Sequence, residues 1–145
     1  MTIQQEISKK HEAFIKETFN GRLTSGSGNQ WNDKSDVITD NLQIECKATT
    51  KKAFIFTTTV LNKIINEGYR TGRKPLLAVR VMDSFKNTKD YIVSQDFKTS
   101  VADFSGNKNL RINLIEEEDV FTFLLDGKFY KVRDLETYLE EEGLY

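Results

Sequence analysis

The side chains best suited to chemistry are two carboxylates and an ammonium, those of Asp36, Glu45 and Lys47. The residues around them are β-formers, with apolar and polar side chains in alternation. If Asp40 and Asn41 form a two-residue hairpin loop, Asp36 lies directly opposite Glu45 on the neighbouring strand. The alternation also places Glu45 and Lys47 on one face of their strand, because successive side chains point to opposite faces.

Two facing carboxylates destabilise a strand pair unless a cation lies between them. Lys47 is one such cation. A divalent ion such as Mg²⁺ or Mn²⁺ neutralises them better, because these ions prefer hard oxygen ligands. The alternative is a solvent-exposed hairpin with scattered charges, and the hairpin alone leaves both interpretations open. Cys46 is in the apolar register of its strand, which favours a small core residue over a nucleophile.

A first helix is predicted from Ile3 to Phe19, ahead of the hairpin. Thr2 and Gln5 form a capping box at its start, and Asn20-Gly21 is a stop signal. Its apolar stripe comprises Ile3, Ile7, Phe14, Ile15 and Phe19. Glu12 lies beside this stripe, whereas His11 is expected on the helix surface.

After the hairpin, a second helix is predicted from Thr57 or Thr58 to Glu67, ended by Gly68. Leu76 to Met82 forms a nearly continuous apolar strand, as expected for a sheet covered on both faces. The remaining predicted elements are a strand at 91–94, a short helix at 96–103, a weak strand at 111–115, a hairpin at 120–125 and 128–132, and a terminal helix at 134–142. This order predicts an α/β fold, a central mixed sheet flanked by helices with a C-terminal β-hairpin and helix.

The 145 residues suggest one domain, 1–145, in which 38% of the residues are apolar. The single cysteine excludes an internal disulfide framework and a zinc-finger pattern, which favours a reducing, cytoplasmic setting. No apolar run is long enough for a membrane span, and the polar N-terminus is unlike a signal peptide. We therefore expect no membrane partner.

Charge is unevenly distributed along the chain. Residues 1–80 carry 13 Lys and Arg against 8 Asp and Glu, whereas residues 81–145 carry 8 against 14. This asymmetry is either a chance difference between halves or the sign of a surface that meets a polyanion.

Residues 24–29, Thr-Ser-Gly-Ser-Gly-Asn, are either a flexible turn or a loop whose amides and hydroxyls approach a phosphate. The Lys-Ser/Thr ending of a P-loop is missing, so nucleoside triphosphate hydrolysis is unsupported. Trp31 either anchors this loop or stacks on a base or sugar.

Taken together, Glu12, the Ser-Gly-Ser-Gly loop, Ser35-Asp36 and Ile44-Glu45-Cys46-Lys47 resemble the PD-(D/E)XK nuclease superfamily. Within it, the chain looks most like the archaeal-type Holliday junction resolvases. The resemblance covers roughly residues 7–82 and implies a restriction-endonuclease-like core, with residues 116–145 as an accessory hairpin and helix. Ser35 stands where the family usually has proline, which shapes the backbone but supplies no chemistry.

The resemblance implies a role for each matched residue. Asp36 and Glu45 would bind Mg²⁺, or Mn²⁺ in its place, with the Cys46 carbonyl as a third ligand. Glu12 would reach the metal through water. Lys47 would orient the attacking water and steady charge on the phosphate, and one of the two loop serines would contact the scissile phosphate, either Ser25 or Ser27.

The implied function is Mg²⁺-dependent cleavage of four-way DNA junctions by a homodimer, in a prokaryotic or phage-infected cytoplasm. The alternatives are another nuclease of the same superfamily, in repair, restriction or phage DNA processing, and a non-enzymatic protein-binding module. The candidate contacts to the DNA backbone are Lys9, Lys10, Lys16, Arg22, Lys34, Lys51, Lys52, Arg70, Arg73 and Lys74.

Overall fold

The computed structural model describes residues 2–24, 36–51, 53–83, 86–98, 111–113 and 120–144. Within these ranges the chain forms three helices and nine strands. In chain order these are α1 (Ile3–Phe19), β1 (Arg22–Leu23), β2 (Val37–Ile38), β3 (Leu42–Thr49), β4 (Ala53–Ile55), α2 (Thr58–Thr71), β5 (Lys74–Met82), β6 (Thr88–Gln95), β7 (Arg111–Asn113), β8 (Val120–Leu125), β9 (Lys128–Asp134) and α3 (Leu135–Glu141).

Seven of these strands form one mixed sheet in the order β1-β2-β3-β5-β6-β9-β8, and β4 pairs with β7 in a separate two-stranded sheet. Strands β3 and β5 are parallel, and α2 lies in the connection between them. The other neighbours in the large sheet are antiparallel. This arrangement confirms the predicted α/β fold. The C-terminal hairpin joins the large sheet through β9 and so extends it.

Helices cover both faces of the sheet. Leu77 and Val79 of β5 belong to the apolar cluster that includes α2, whereas Leu76 and Ala78 belong to the cluster that includes α1 and α3. Because successive strand residues point to opposite faces, α2 lies on one side of the sheet and α1 and α3 lie on the other. This explains why β5 is nearly continuously apolar.

Several local signals act as the sequence predicts. The capping box of Thr2 and Gln5 forms at the start of α1, and Asn20 ends that helix in the left-handed conformation. Asp126 and Gly127 have φ values of 51° and 74°, as a two-residue hairpin turn requires. The described part of the predicted 96–103 helix, Asp96 to Lys98, is not helical, and the rest lies outside the described residues.

The predicted end of the second helix at Gly68 is wrong, because α2 continues to Thr71 and is capped by Gly72 in the left-handed region. Gly68 has a packing role instead. A Cβ atom at this position would lie 2.8 Å from the carbonyl oxygen of Arg73 and 2.9 Å from Cδ of Pro75. Glycine is therefore required where the helix approaches the start of β5 closely.

The predicted surface position of His11 is also wrong. His11 is only 1% exposed and, with Ile7 and Ile15, forms the buried stripe of α1. Its Nε2 atom lies 3.6 Å from Oδ1 of Asp90. Burial is the main cause that lowers the pKa of His11 to about 4, so the ring is neutral at neutral pH. Among the described helices, none is long and apolar enough to cross a membrane.

Candidate active site

The β2–β3 hairpin brings Asp36 and Glu45 together as predicted. Val37 pairs with Ile44, and the main-chain N–H of Asp36 donates a 3.1 Å hydrogen bond to the carbonyl of Ile44. Asp36 directly precedes β2, and its charge acts on the Glu45 carboxyl, so the two groups lie close to each other. Both are buried, with 9% and 5% of their surface exposed. The solvent-exposed alternative for this hairpin is thus incompatible with the fold.

The local chemistry of the turn explains this register. The main-chain N–H of Thr39 donates to the carbonyl of Leu42 at 3.0 Å, which leaves Asp40 and Asn41 as the two loop residues. The Thr39 hydroxyl accepts hydrogen bonds from the main-chain N–H groups of Asn41 and Leu42, at 3.2 and 2.9 Å. A slip of one residue would exchange the two faces of β3, so this turn helps to fix where Glu45 points.

Two lysines lie against the Glu45 carboxylate. The Nζ atom of Lys47 is 3.5 Å from Oε1 of Glu45, and that of Lys63 is 3.4 Å from the same oxygen. Burial raises the pKa of the Glu45 carboxyl, and the negative charge of Asp36 raises it further, whereas both lysines lower it. The raised pKa shows that burial and Asp36 together outweigh the two ammonium groups.

Asp36 is held against β3 by a hydrogen bond. Its Oδ2 atom accepts from the main-chain N–H of Cys46 at 2.8 Å. The N–H and C=O of one strand residue point to the same side of the strand, so the Cys46 carbonyl faces this same edge. The Cys46 side chain packs against the apolar cluster of α1 and α3, which agrees with its prediction as a small core residue. Burial is the main cause that raises the pKa of its thiol, so the thiol stays protonated.

Glu12 reaches the same electrostatic environment from α1. Burial raises the pKa of the Glu12 carboxyl, and the negative charges of Asp36 and Glu45 raise it further, whereas Lys9 lowers it. Three carboxyl groups therefore influence one another here, one from a helix and two from adjoining strands. A set of negative oxygens partly withdrawn from water attracts cations.

The oxygen atoms at this place are of the kind that a divalent metal ion binds. Two carboxylates and a main-chain carbonyl are oxygen ligands of the kind that Mg²⁺ and Mn²⁺ accept. Within the described residues, no three side chains of His, Cys, Asp or Glu come close enough to hold a metal ion by themselves. The oxygen atoms at this place that such an ion would use are those of Asp36, Glu45 and the Cys46 carbonyl, and water molecules would have to complete its coordination.

Lys63 was not among the residues singled out from the sequence. It lies on α2, where Lys63, Glu67 and Thr71 follow one another at four-residue spacing and so share a face. Gln43 bonds to this face, since its Nε2 atom donates to Oε2 of Glu67 at 3.4 Å and its Oε1 atom accepts from the Thr71 hydroxyl. The recurrence of polar residues at four-residue spacing beside the apolar face of this amphipathic helix is the signal that could have pointed to a polar contact with the sheet.

The structure separates the predicted DNA contacts into different regions. Arg22 and Arg73 line a polar groove of about 400 Å³ at the turn end of the hairpin, and that groove includes neither Asp36 nor Glu45. Lys74 lies 3.9 Å from Glu142. Lys9 acts on Glu12, at the carboxylate cluster itself.

The other predicted DNA contacts that the structure describes are exposed side chains or members of ion pairs that do not involve the candidate site. Lys10 and Lys51 are exposed, Lys16 pairs with Glu17 at 3.2 Å, and Arg70 pairs with Glu67 at 2.6 Å. Five predicted site residues lie outside the described residues and stay predictions, namely Ser25, Ser27, Trp31, Lys34 and Lys52.

Comparisons with known protein families, with curated proteins and with solved structures find no significant match to this chain.

Proposed function

We propose that this protein is a Mg²⁺-dependent endonuclease that hydrolyses DNA phosphodiester bonds, with four-way Holliday junctions as its substrate and Mn²⁺ as a substitute ion. The observation that carries the proposal is the burial of two neighbouring carboxylates, Asp36 just before β2 and Glu45 on β3, with Lys47 beside Glu45. Two ionised carboxylates in this position repel each other and lose hydration. A divalent cation bound between them would offset both the repulsion and the lost hydration, so the arrangement favours a metal site.

The roles follow from the donor set. Asp36, Glu45 and the Cys46 carbonyl would hold the ion, and Glu12 would act on it through water. When bound, the ion neutralises charge on the phosphate and favours ionisation of water. Lys47 provides a fixed positive charge beside the carboxylates, which can orient the attacking water and stabilise the additional negative charge of the transition state.

The substrate assignment rests on the resemblance to junction resolvases and on the excess of basic residues in the first 80 positions. Resolution of a four-way junction needs two cuts, so a two-fold symmetric homodimer with two sites is the natural assembly. A cytoplasmic location, in a prokaryote or in the host of a phage, fits a DNA-processing enzyme with a single, partly buried cysteine.

Two other functions make different predictions. Strands β6, β8 and β9 extend the sheet beyond the region of resemblance, which favours as second candidate a related nuclease with another DNA substrate in repair, restriction or phage DNA processing. The neutralisation of Glu45 by Lys47 and Lys63 also suits a purely structural ion cluster in a non-enzymatic binding module. That third function predicts no divalent cation binding.

Substrate profiling tests the proposal. Purified protein is incubated with a labelled four-way junction, a linear duplex and a single strand of matched sequence, each with Mg²⁺ or with EDTA. We expect paired cuts in the junction only, and only with Mg²⁺. Equal cutting of the linear duplex would favour the related nuclease, and no cutting of any DNA would overturn the nuclease assignment.

A further inference from the structure

Gln43 of β3 fixes the polar face of α2 against the sheet, because both its amide oxygen and its amide nitrogen bond to residues of that helix. Gln43 accepts from the hydroxyl of Thr71 and donates to Glu67, whose Oε2 atom also accepts from Arg70 at 2.6 Å. Lys63 lies on the same face of the helix, one turn before Glu67. The backbone position of Lys63 beside Glu45 is therefore set by the packing of α2 against β3, whereas its side chain is free at the surface side.

The two lysines on Glu45 differ in how they contact it. Lys63 donates a hydrogen bond to Oε1 of Glu45 at 3.4 Å, whereas Lys47, at 3.5 Å from that oxygen, forms an ion pair with it. A hydrogen bond to a carboxylate oxygen occupies a lone pair. Each carboxylate oxygen has two lone pairs, so the hydrogen bond from Lys63 removes one of the two positions through which an ion could bind Oε1.

The balance of charge also indicates that Lys63 competes with an ion for Glu45. Asp36, Glu45 and Glu12 can carry three negative charges, and Lys47, Lys63 and Lys9 carry three positive charges, so the cluster is balanced without any ion. A divalent cation at Glu45 would then meet two ammonium groups at short range, where repulsion between like charges amounts to kilocalories per mole. One ammonium must withdraw, and the Lys63 side chain is 43% exposed, which gives it room to do so.

We infer that Lys63 is the resident counter-ion of Glu45 in the metal-free protein and that a divalent cation displaces it from that carboxylate. Lys63 is thus a positioning residue, since it holds Glu45 in place before the ion arrives and sets how tightly the ion binds. This inference rests on the proposed function, because it assumes a divalent cation at Glu45. It adds a competitor for that cation which the sequence motif does not contain.

Calorimetric titration with Mn²⁺ in the absence of DNA tests the inference. The wild type is compared with Lys63→Met, which keeps the length of the side chain, and with Lys16→Met as the matched control. Lys16 pairs with the exposed Glu17 on α1, so its replacement makes the same change in net charge without removing an ion-pair partner of Glu45. We expect Lys63→Met to bind Mn²⁺ roughly tenfold more tightly than the wild type. We expect Lys16→Met to remain within about twofold of the wild type, because exposed charges are screened.

A second measurement examines the metal-free state directly. Urea unfolding in EDTA is followed for the wild type, Lys63→Met, Glu45→Gln and the double variant. We expect Lys63→Met to lower the unfolding midpoint in the wild-type background and to change it less when Glu45 is already neutral.

The outcomes separate the two claims. Equal or weaker Mn²⁺ binding by Lys63→Met, with normal binding by the wild type, would overturn the displacement of Lys63 and leave the nuclease proposal standing. No Mn²⁺ binding by either protein would overturn both. Equal effects of Lys63→Met in the two backgrounds would overturn the counter-ion role.

Discussion

The Oδ2 atom of Asp36 accepts a 2.8 Å hydrogen bond from the main-chain N–H of Cys46, one residue beyond Glu45 on the neighbouring strand. This bond holds one carboxylate of the candidate site against the strand that carries the other. The pair is therefore built into the hairpin backbone and does not depend on a bound ion. Burial is the main cause that raises the pKa of the Glu45 carboxyl, and repulsion from Asp36 raises it further.

Replacement of Asp36 separates charge from hydrogen bonding. Asp36→Asn keeps an oxygen acceptor for the Cys46 N–H and removes the repulsion with Glu45, so we expect the metal-free protein to gain up to about 1 kcal/mol of stability. Asp36→Ala also removes the acceptor, and we expect a loss of about 1–3 kcal/mol. Urea unfolding in EDTA measures both. A loss for Asp36→Asn as large as that for Asp36→Ala would contradict this account.

His11 predicts a specific dependence of stability on pH. Its pKa is about 4 in the folded protein against 6.5 for an unperturbed histidine, so between these values the unfolded chain binds a proton that the folded chain does not. The neutral His11 ring therefore leaves the free energy of unfolding at its full value above about pH 6.5. As the pH falls towards 4, protonation of His11 in the unfolded chain lowers that free energy, by at most about 3 kcal/mol.

The variant His11→Leu tests this dependence, because His11 is the only histidine in the chain. Within the described residues, neither ring nitrogen of His11 has a hydrogen-bond partner. We therefore expect the leucine variant to be at least as stable as the wild type at pH 7.5 and increasingly more stable than it as the pH falls. Urea unfolding at several pH values between 4 and 7.5 measures the difference, and a constant difference would refute the burial argument.

Gly68 is predicted to be a packing residue of α2. Alanine normally stabilises a helix interior by about 1 kcal/mol relative to glycine. At Gly68 the new Cβ atom would meet the Arg73 carbonyl at 2.8 Å, so we expect Gly68→Ala to lower the free energy of unfolding by about 1–3 kcal/mol. Thermal or urea unfolding decides the sign, and stabilisation by Gly68→Ala would show that α2 can move away from β5.

Gly72 is the matched comparison, because a Cβ atom there would meet no other atom within 4 Å. Its φ of 72° is the only obstacle. We expect Gly72→Ala to cost about 1 kcal/mol and Gly72→Asn to cost less, since asparagine tolerates the left-handed region. Equal costs for alanine and asparagine at this position would argue against a cap in that conformation.

Lys47 should affect catalysis more than ion binding. It forms an ion pair with Glu45, whereas Lys63 holds the hydrogen bond to Oε1. We expect Lys47→Met to retain Mn²⁺ binding and to lower the single-turnover rate of junction cleavage by about 100-fold or more, because a fixed charge at the reacting phosphate is lost. A rate within about twofold of the wild type would remove Lys47 from the proposed mechanism.

The local parts of the site could be predicted from the sequence. Alternating side chains and a two-residue turn were sufficient to pair Val37 with Ile44 and Ile38 with Gln43, because strand register depends on short-range geometry. The capping signals of α1 and the Asp126-Gly127 turn were equally local. These predictions needed no knowledge of how distant segments pack.

The features that were missed depend on contacts between distant segments. Lys63 meets Glu45 only because α2 lies over β3, eighteen positions earlier in the chain. His11 was placed on the surface because the rotation of α1 about its axis is decided by the sheet beneath it, which buries Ile7 and Ile15 and leaves Phe14 partly exposed. The helical period alone does not choose between these neighbouring faces.

Single-turnover cleavage of a labelled four-way junction by site variants tests the central claim most directly. Wild type, Asp36→Asn and Glu45→Gln are compared with Glu17→Gln, which removes a carboxylate of α1 that is 78% exposed and pairs with Lys16. With Mg²⁺ we expect wild type and Glu17→Gln to cleave alike, and both site variants to fall by at least about 100-fold while remaining folded. Cleavage by the site variants at the wild-type rate, or no cleavage by the wild type, would contradict the account.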